Sequence, residues 1–199
     1  MQTSVARTPA ASEEWRSSFV RRIAAVHALW QQGVADLTPA RANHFERAGV
    51  LPIAFTLMHL VVGEDRNAAR YLGAGALLWD EQGWAERVGL VGEPPVRGTP
   101  MRDAEHIRLG DLDAWRVYQT AVFARTERAL EALPAGRFAE KAMDRPAADK
   151  LKGSFLALLV PEGEIRVRDV CEAYLFQHAV RHLGELEHAR ALVGLGGLS

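Results

Sequence analysis

Cys171 is the only cysteine, so the chain has no partner for an intrachain disulfide. Nothing ties it to an oxidising compartment, and a cytoplasmic location is expected. There is no uninterrupted run of about 18 apolar residues, hence no membrane span. The first residues, MQTSVARTPAA, lack an apolar stretch of signal-peptide length and read as a loose tail (1–11) before a domain over 12–195. Charge of one sign is also missing: 24 Lys plus Arg face 25 Asp plus Glu, a net charge of -1 without a long single-sign run. That balance argues against a nucleic-acid or anionic-membrane partner. No glycine-rich loop precedes a helix to cradle phosphate, and no serine or cysteine has an assignable base. Metal-centred chemistry is the enzyme class left open.

What is present is ordinary in bulk and specific in pattern. Hydrophobic content of 48% and charged content of 25% over 199 residues suit one globular domain with a full core. The organising stretch is CEAYLFQHAVRHLGELEHAR, Cys171 to Arg190. Its apolar stripe at helical spacing takes in Cys171, Tyr174, Leu175, His178, His182, Leu186 and Ala189, which places both histidines on the inward face. Imidazoles at i and i+4 stand one above the other, close enough to hold one divalent ion. The competing reading is a pair of core histidines bonded to their neighbours. Cys171 lies about 10 Å along the axis from His178, too far to share a metal, and reads as a small buried residue.

Three further helices follow from the same periodicity. Ser12, Glu13 and Glu14 make a helix start, and Trp15, Phe19, Ile23, Val26, Trp30, Val34 and Leu37 form its seam, with His27 beside it as a core or boundary histidine. Pro52 opens a second helix, Ile53 to about Ala69, that is apolar nearly all round and therefore central, with His59 in its middle. Gly63 to Arg66 are expected to turn that helix toward solvent. Asp111 caps a third, with Leu112, Trp115, Tyr118, Val122 and Leu130 at helical spacing.

Between them, Gly73 to Gly98 has two readings: Trp79, Trp84, Arg87 and Arg97 line a ligand mouth, or the tryptophans cover the bundle, which is the default. Phe155 to Val160 is an apolar run of undecided conformation. Four long amphipathic segments without alternating strands or repeats predict an all-α four-helix bundle with long connections between helices 2 and 3 and helices 3 and 4. In such a core His59 is the natural third donor for His178 and His182.

Three imidazoles would leave a tetrahedral ion one open position. The sequence HAVRH has no glutamate after its first histidine, so the zinc-protease helix is excluded. Glu185, on the same face as the pair, reads as an orienting residue, a general base, or an exposed side chain. Glu185 and His188 also spell Glu-x-x-His, but the remaining carboxylates of a di-iron bundle are missing.

The segments PIAFTLMHLVVGEDR, with His59, and FQHAVRHLGELEHAR, with His178, His182 and Gly184, resemble the DinB-like superfamily, which includes mycothiol- and bacillithiol-dependent enzymes such as maleylpyruvate isomerase. The resemblance spans most of Trp15 to Leu192. It implies an up-up-down-down four-helix bundle, often a homodimer, with His59, His178 and His182 as ligands of zinc or nickel. It also implies a reaction: a low-molecular-weight thiol activated for transfer or isomerisation on a small-molecule substrate, with metal-assisted hydrolysis as a related version. The alternative is a non-catalytic bundle that binds metal or a small ligand and acts through protein contacts. Gly73 to Gly98 and Arg137 to Pro161 carry no signature of the family and are the segments expected to choose a substrate.

Overall fold

The computed structural model describes residues 9–81 and 83–198. Most of the expected tail, 1–8, lies outside the described residues. The first helix, α1 (Pro9–Ala35), begins before Ser12. Proline suits a first turn and two alanines follow it, so the polar residue expected to cap the helix sits inside it.

In chain order there follow the single turn α2 (Pro39–Ala42), the long α3 (Ile53–Leu72), the turns α4 (Leu78–Glu81) and α5 (Trp84–Arg87), β1 (Leu90–Val91), α6 (Met101–Ala104), β2 (Arg108–Leu109) and the long α7 (Leu112–Ala132). Beyond these come a 3-10 turn (Ala135–Ala139), β3 (Lys141–Met143), α8 (Ala148–Leu151), α9 (Phe155–Leu159), β4 (Ile165–Arg166) and the last long helix, which is α-helical in α10 (Val167–Val170), π-helical over Cys171–Gln177 and α-helical again in α11 (His178–Leu192). The protein is mainly helical, as expected. The strands that the sequence did not announce form two antiparallel pairs, β1 with β2 and β3 with β4, and pin the long connections. No helix among the described residues is long and apolar enough to cross a membrane.

Caps follow the local chemistry. Asp111 Oδ1 accepts from Ala114 N at 2.8 Å at the start of α7, and Asp169 accepts from the Arg166 N–H at 2.8 Å at the start of the last helix. Ser154 caps Phe155–Leu159, which settles that run as helix. The end of α1 is capped from other elements: Arg116 Nη2 donates to Val34 O at 2.9 Å and Leu37 O at 2.7 Å, and Arg190 Nη1 donates to Gly33 O at 2.7 Å. Cations at free carbonyls suit the negative end of a helix.

Cross-helix pairs give the order of the long helices. Arg22 meets Glu172 at 2.7 Å, Trp30 Nε1 donates to Ala179 O at 3.0 Å and Arg190 reaches Asp36, so α1 and the last helix run the same way. Arg16 meets Glu131 O, His27 meets Glu127 and Arg116 meets Val34, so α7 runs against α1. His59 meets His178 while Asn67 meets Tyr174, so α3 runs against the last helix. The order is up, down, down, up, not the expected up-up-down-down. The direct link from α1 to α3 turns the chain back, and the long Gly73 to Asp111 connection returns it so that α3 and α7 run parallel.

The core is apolar: Trp30, Leu57, Met58, Trp115, Tyr118 and Phe123 are fully buried in its largest cluster. Where the sequence suggested that α3 turns outward, Glu64 and Asp65 are each 1% exposed. Their charges are met from inside. Asp65 accepts from Trp79 N at 3.0 Å and Tyr118 Oη at 3.1 Å, with Arg125 at 3.5 Å, while Glu64 pairs with His27 at 3.0 Å.

Candidate metal centre

α3 and the last helix converge on the three histidines. Nε2 of His178 lies 3.2 Å from Nε2 of His59 and 3.2 Å from Nε2 of His182. One ligand atom from each falls within 4.8 Å of the others, and among the described residues these three form the group of this kind. A zinc ion with bonds of about 2.0–2.1 Å to two tetrahedral nitrogens separates them by about 3.3 Å, and an octahedral ion by about 3.0 Å. The two separations of 3.2 Å about His178 suit either geometry.

The chemistry of the donors fits as well. Burial, reinforced by neighbouring imidazoles, lowers the pKa of His59 to about 4 and that of His178 to about 3. Burial also lowers His182, although Glu185 pulls the other way. All three rings are neutral near pH 7, the form that offers a lone pair to a metal. Nδ1 of His182 lies 2.6 Å from Glu185 Oε2. The carboxylate can only accept, so the proton sits on Nδ1 and the Nε2 lone pair points into the cluster. Nδ1 of His59 is buried without a bonding partner.

His59 was expected inside the core. It is half-buried, because its helix face borders a cleft of about 880 Å³. His178, His182 and Glu185 line the same cleft. Gly63, one turn after His59, keeps the space beside His178 open: a Cβ there would stand 3.4 Å from the ring. Both connections contribute walls, Pro95 to Thr99 from one and Gly153 to Leu158 from the other. Arg97 thus reaches the cleft, whereas Trp79 and Trp84 are buried against Tyr118 and Arg87 stacks over Trp84 at 3.6 Å. The tryptophans cover the bundle.

Sequence reasoning passed over Arg66, Asn67, Tyr174 and Gln177, which also line the cleft. Arg66 and Asn67 follow His59 at seven and eight residues, a spacing that places them on its face. The π-helical stretch directly before His178 left no mark in the apolar spacing. Such turns recur at functional sites. Cys171 is fully buried, and burial pushes its thiol up, so it is no nucleophile. His188 is exposed and remote from the triad's donor group.

No family model matches the chain, and no curated protein does. A solved structure described as a conserved protein from Enterococcus faecalis is similar in fold, with a TM-score of 0.69 and 18% identity, covering 89% of this chain and 95% of that one. At that identity the likeness is one of fold alone.

Proposed function

We propose that His59, His178 and His182 hold a divalent metal ion, zinc or nickel, and that the protein is a metal-dependent enzyme built on a four-helix bundle of the DinB-like kind. The observation that carries this reading is three neutral imidazole nitrogens turned toward one another at the wall of an open cleft. A closed site would favour the non-catalytic alternative. The cleft volume of about 880 Å³ is in the range of small-molecule sites.

Bound there, the metal supplies Lewis acidity and a positive charge that keeps a thiol ionised at neutral pH. The chain's own groups do the rest. Glu185 fixes the tautomer of His182 and is placed to take a proton at its outer oxygen, since its side chain is 43% exposed. Arg181 Nε donates to Glu185 Oε1 at 3.2 Å and holds that carboxylate in position. The cleft walls contributed by Pro95 to Thr99 and by Gly153 to Leu158 are placed to contact the electrophile. The reaction we propose is attack of a low-molecular-weight thiol on a small electrophile, by transfer or isomerisation, in a cytoplasmic protein.

The test compares the metal content of purified, untagged protein with that of His59→Ala. About one equivalent in the wild type, lost in the variant, supports the centre, and thiol-dependent consumption of a fluorogenic electrophile that disappears with the metal supports the enzyme. A protein that takes up no metal after reconstitution sinks both.

A further inference from the structure

The histidines share the cleft with three cations: Arg181, paired with Glu185 beside them, and Arg66 and Arg97. Along α3, Phe55, His59, Gly63, Arg66 and Asn67 face the cleft, so Arg66 stands two turns, about 10 Å along the axis, from His59. Asn67 Nδ2 donates to Tyr174 O at 3.3 Å, which places Tyr174 opposite this far end. Arg97 also lines the cleft, from the connection above. Burial pushes the Tyr174 phenol up, and the charge of Arg97 is close enough to act against that shift.

Among the described residues neither Arg66 nor Arg97 has an ion-pair or hydrogen-bond partner, and Arg66 is half-buried. Elsewhere in the fold comparable guanidiniums are matched, as in Arg22 with Glu172 and Arg190 with Asp36. Glu185 is the one carboxylate lining the cleft among the described residues, and it is committed at the histidine end to His182 and Arg181. The remaining wall has apolar side chains that face water: Phe155 is 41% exposed, Val96 48% and Leu158 81%. A half-buried guanidinium without a counter-charge and apolar groups left wet are both relieved by one kind of ligand.

We propose that the cleft binds an organic acid with an apolar body, its carboxylate held by Arg66 and Arg97 and its other end reaching the histidines. Guanidinium groups match carboxylates in a two-point geometry that a single ammonium does not offer. The separation of about 10 Å acts as a ruler, selecting acids whose reactive atom is several bonds from the carboxylate. The histidine end of this assignment rests on the metal-site reading; the arginine end does not.

The test is calorimetric titration of the full-length protein with phenylhexanoate and with its neutral analogue phenylhexanamide. The acid is expected to bind about 10-fold tighter than the amide. Changing Arg66→Gln together with Arg97→Gln abolishes that preference, and Arg97→Gln alone, on an exposed side chain that the fold does not need, reduces it about threefold. Equal binding of the two probes, no binding of either up to about 5 mM, or survival of the preference in the double variant each overturns the proposal. Zinc content is measured on the same samples. A protein that takes up no zinc but keeps the preference sinks the metal reading alone, and one that binds zinc without the preference sinks the acid site alone.

Discussion

Glu185 Oε2 sits 2.6 Å from Nδ1 of His182, one turn earlier on the same helix, and accepts its proton. A carboxylate behind a ligand histidine fixes the ring and raises its basicity, and its loss typically costs 10–100-fold in metal affinity. Glu185→Ala is expected to weaken zinc binding by about that factor, read by competition with a chromogenic chelator. Glu185→Gln, whose amide oxygen still accepts, should lose less. Unchanged affinity in both variants would leave Glu185 without a part in the centre.

His178 bridges the other two donors, so His178→Ala should abolish stoichiometric metal while the far-ultraviolet helical signal persists, because the buried apolar clusters do not include that ring. Chelation of the wild-type protein should lower its melting temperature, since zinc at about 100 times its dissociation constant stabilises a fold by about 2.7 kcal/mol. Retention of metal by the variant would break the assignment of the triad.

His27 gives a pH dependence of its own. Burial alone would lower its pKa, but Glu64 at 3.0 Å and Glu127 at 2.6 Å outweigh that and raise it from 6.5 to about 9. A pKa raised by folding means stabilisation that is complete below the unfolded value near 6.5 and fades as pH climbs through about 9. We expect about 3 kcal/mol of unfolding free energy to be lost across that window. Denaturant titrations of wild type and His27→Gln at several pH values would test this, and a variant with the same slope as the wild type would refute it.

Gly63 lies within a helix, where glycine costs roughly 0.5–1 kcal/mol relative to alanine. A Cβ at position 63 would make an ordinary contact, 3.4 Å from His178. Gly63→Ala should therefore raise stability by about that amount and retain metal, whereas Gly63→Leu should crowd the ring and lose metal affinity. Thermal melts with metal analysis separate the two.

The family resemblance brings a homodimer with it, so multi-angle light scattering is expected to give twice the 21.9 kDa of the chain. A mass equal to one chain would remove that expectation.

How legible all this was in the sequence depends on range. The three histidines that the structure brings together could be named because His178 and His182 repeat at helical spacing and His59 lies in the most apolar helix, signals contained within single elements. The long helices were legible for the same reason. Their order was not: it is set by pairs far apart in sequence, such as Arg190 with Asp36 and Arg116 with Val34. Glu64 and Asp65 misled for a related reason, since a charged pair reads as solvated until His27, Tyr118 and Arg125 supply its partners. Arg66 and Asn67 were readable in principle from their spacing to His59, but the cleft they line exists only once Pro95 to Thr99 and Gly153 to Leu158 are folded over it.

The π-helical stretch Cys171–Gln177 makes the last helix two segments with separate settings. Before it the chain buries Val167 and Val170; after it, Ala179, His182 and Leu186. Each residue of an α-helix turns the chain by about 100°. Removing one residue from the wide turn, at little expense to helix content, would swing His178 and His182 about a quarter-turn off the cleft. The donors' bearing is thus stored as a count of residues upstream of them, and an insertion or deletion there would be far more damaging than most substitutions of the same residues.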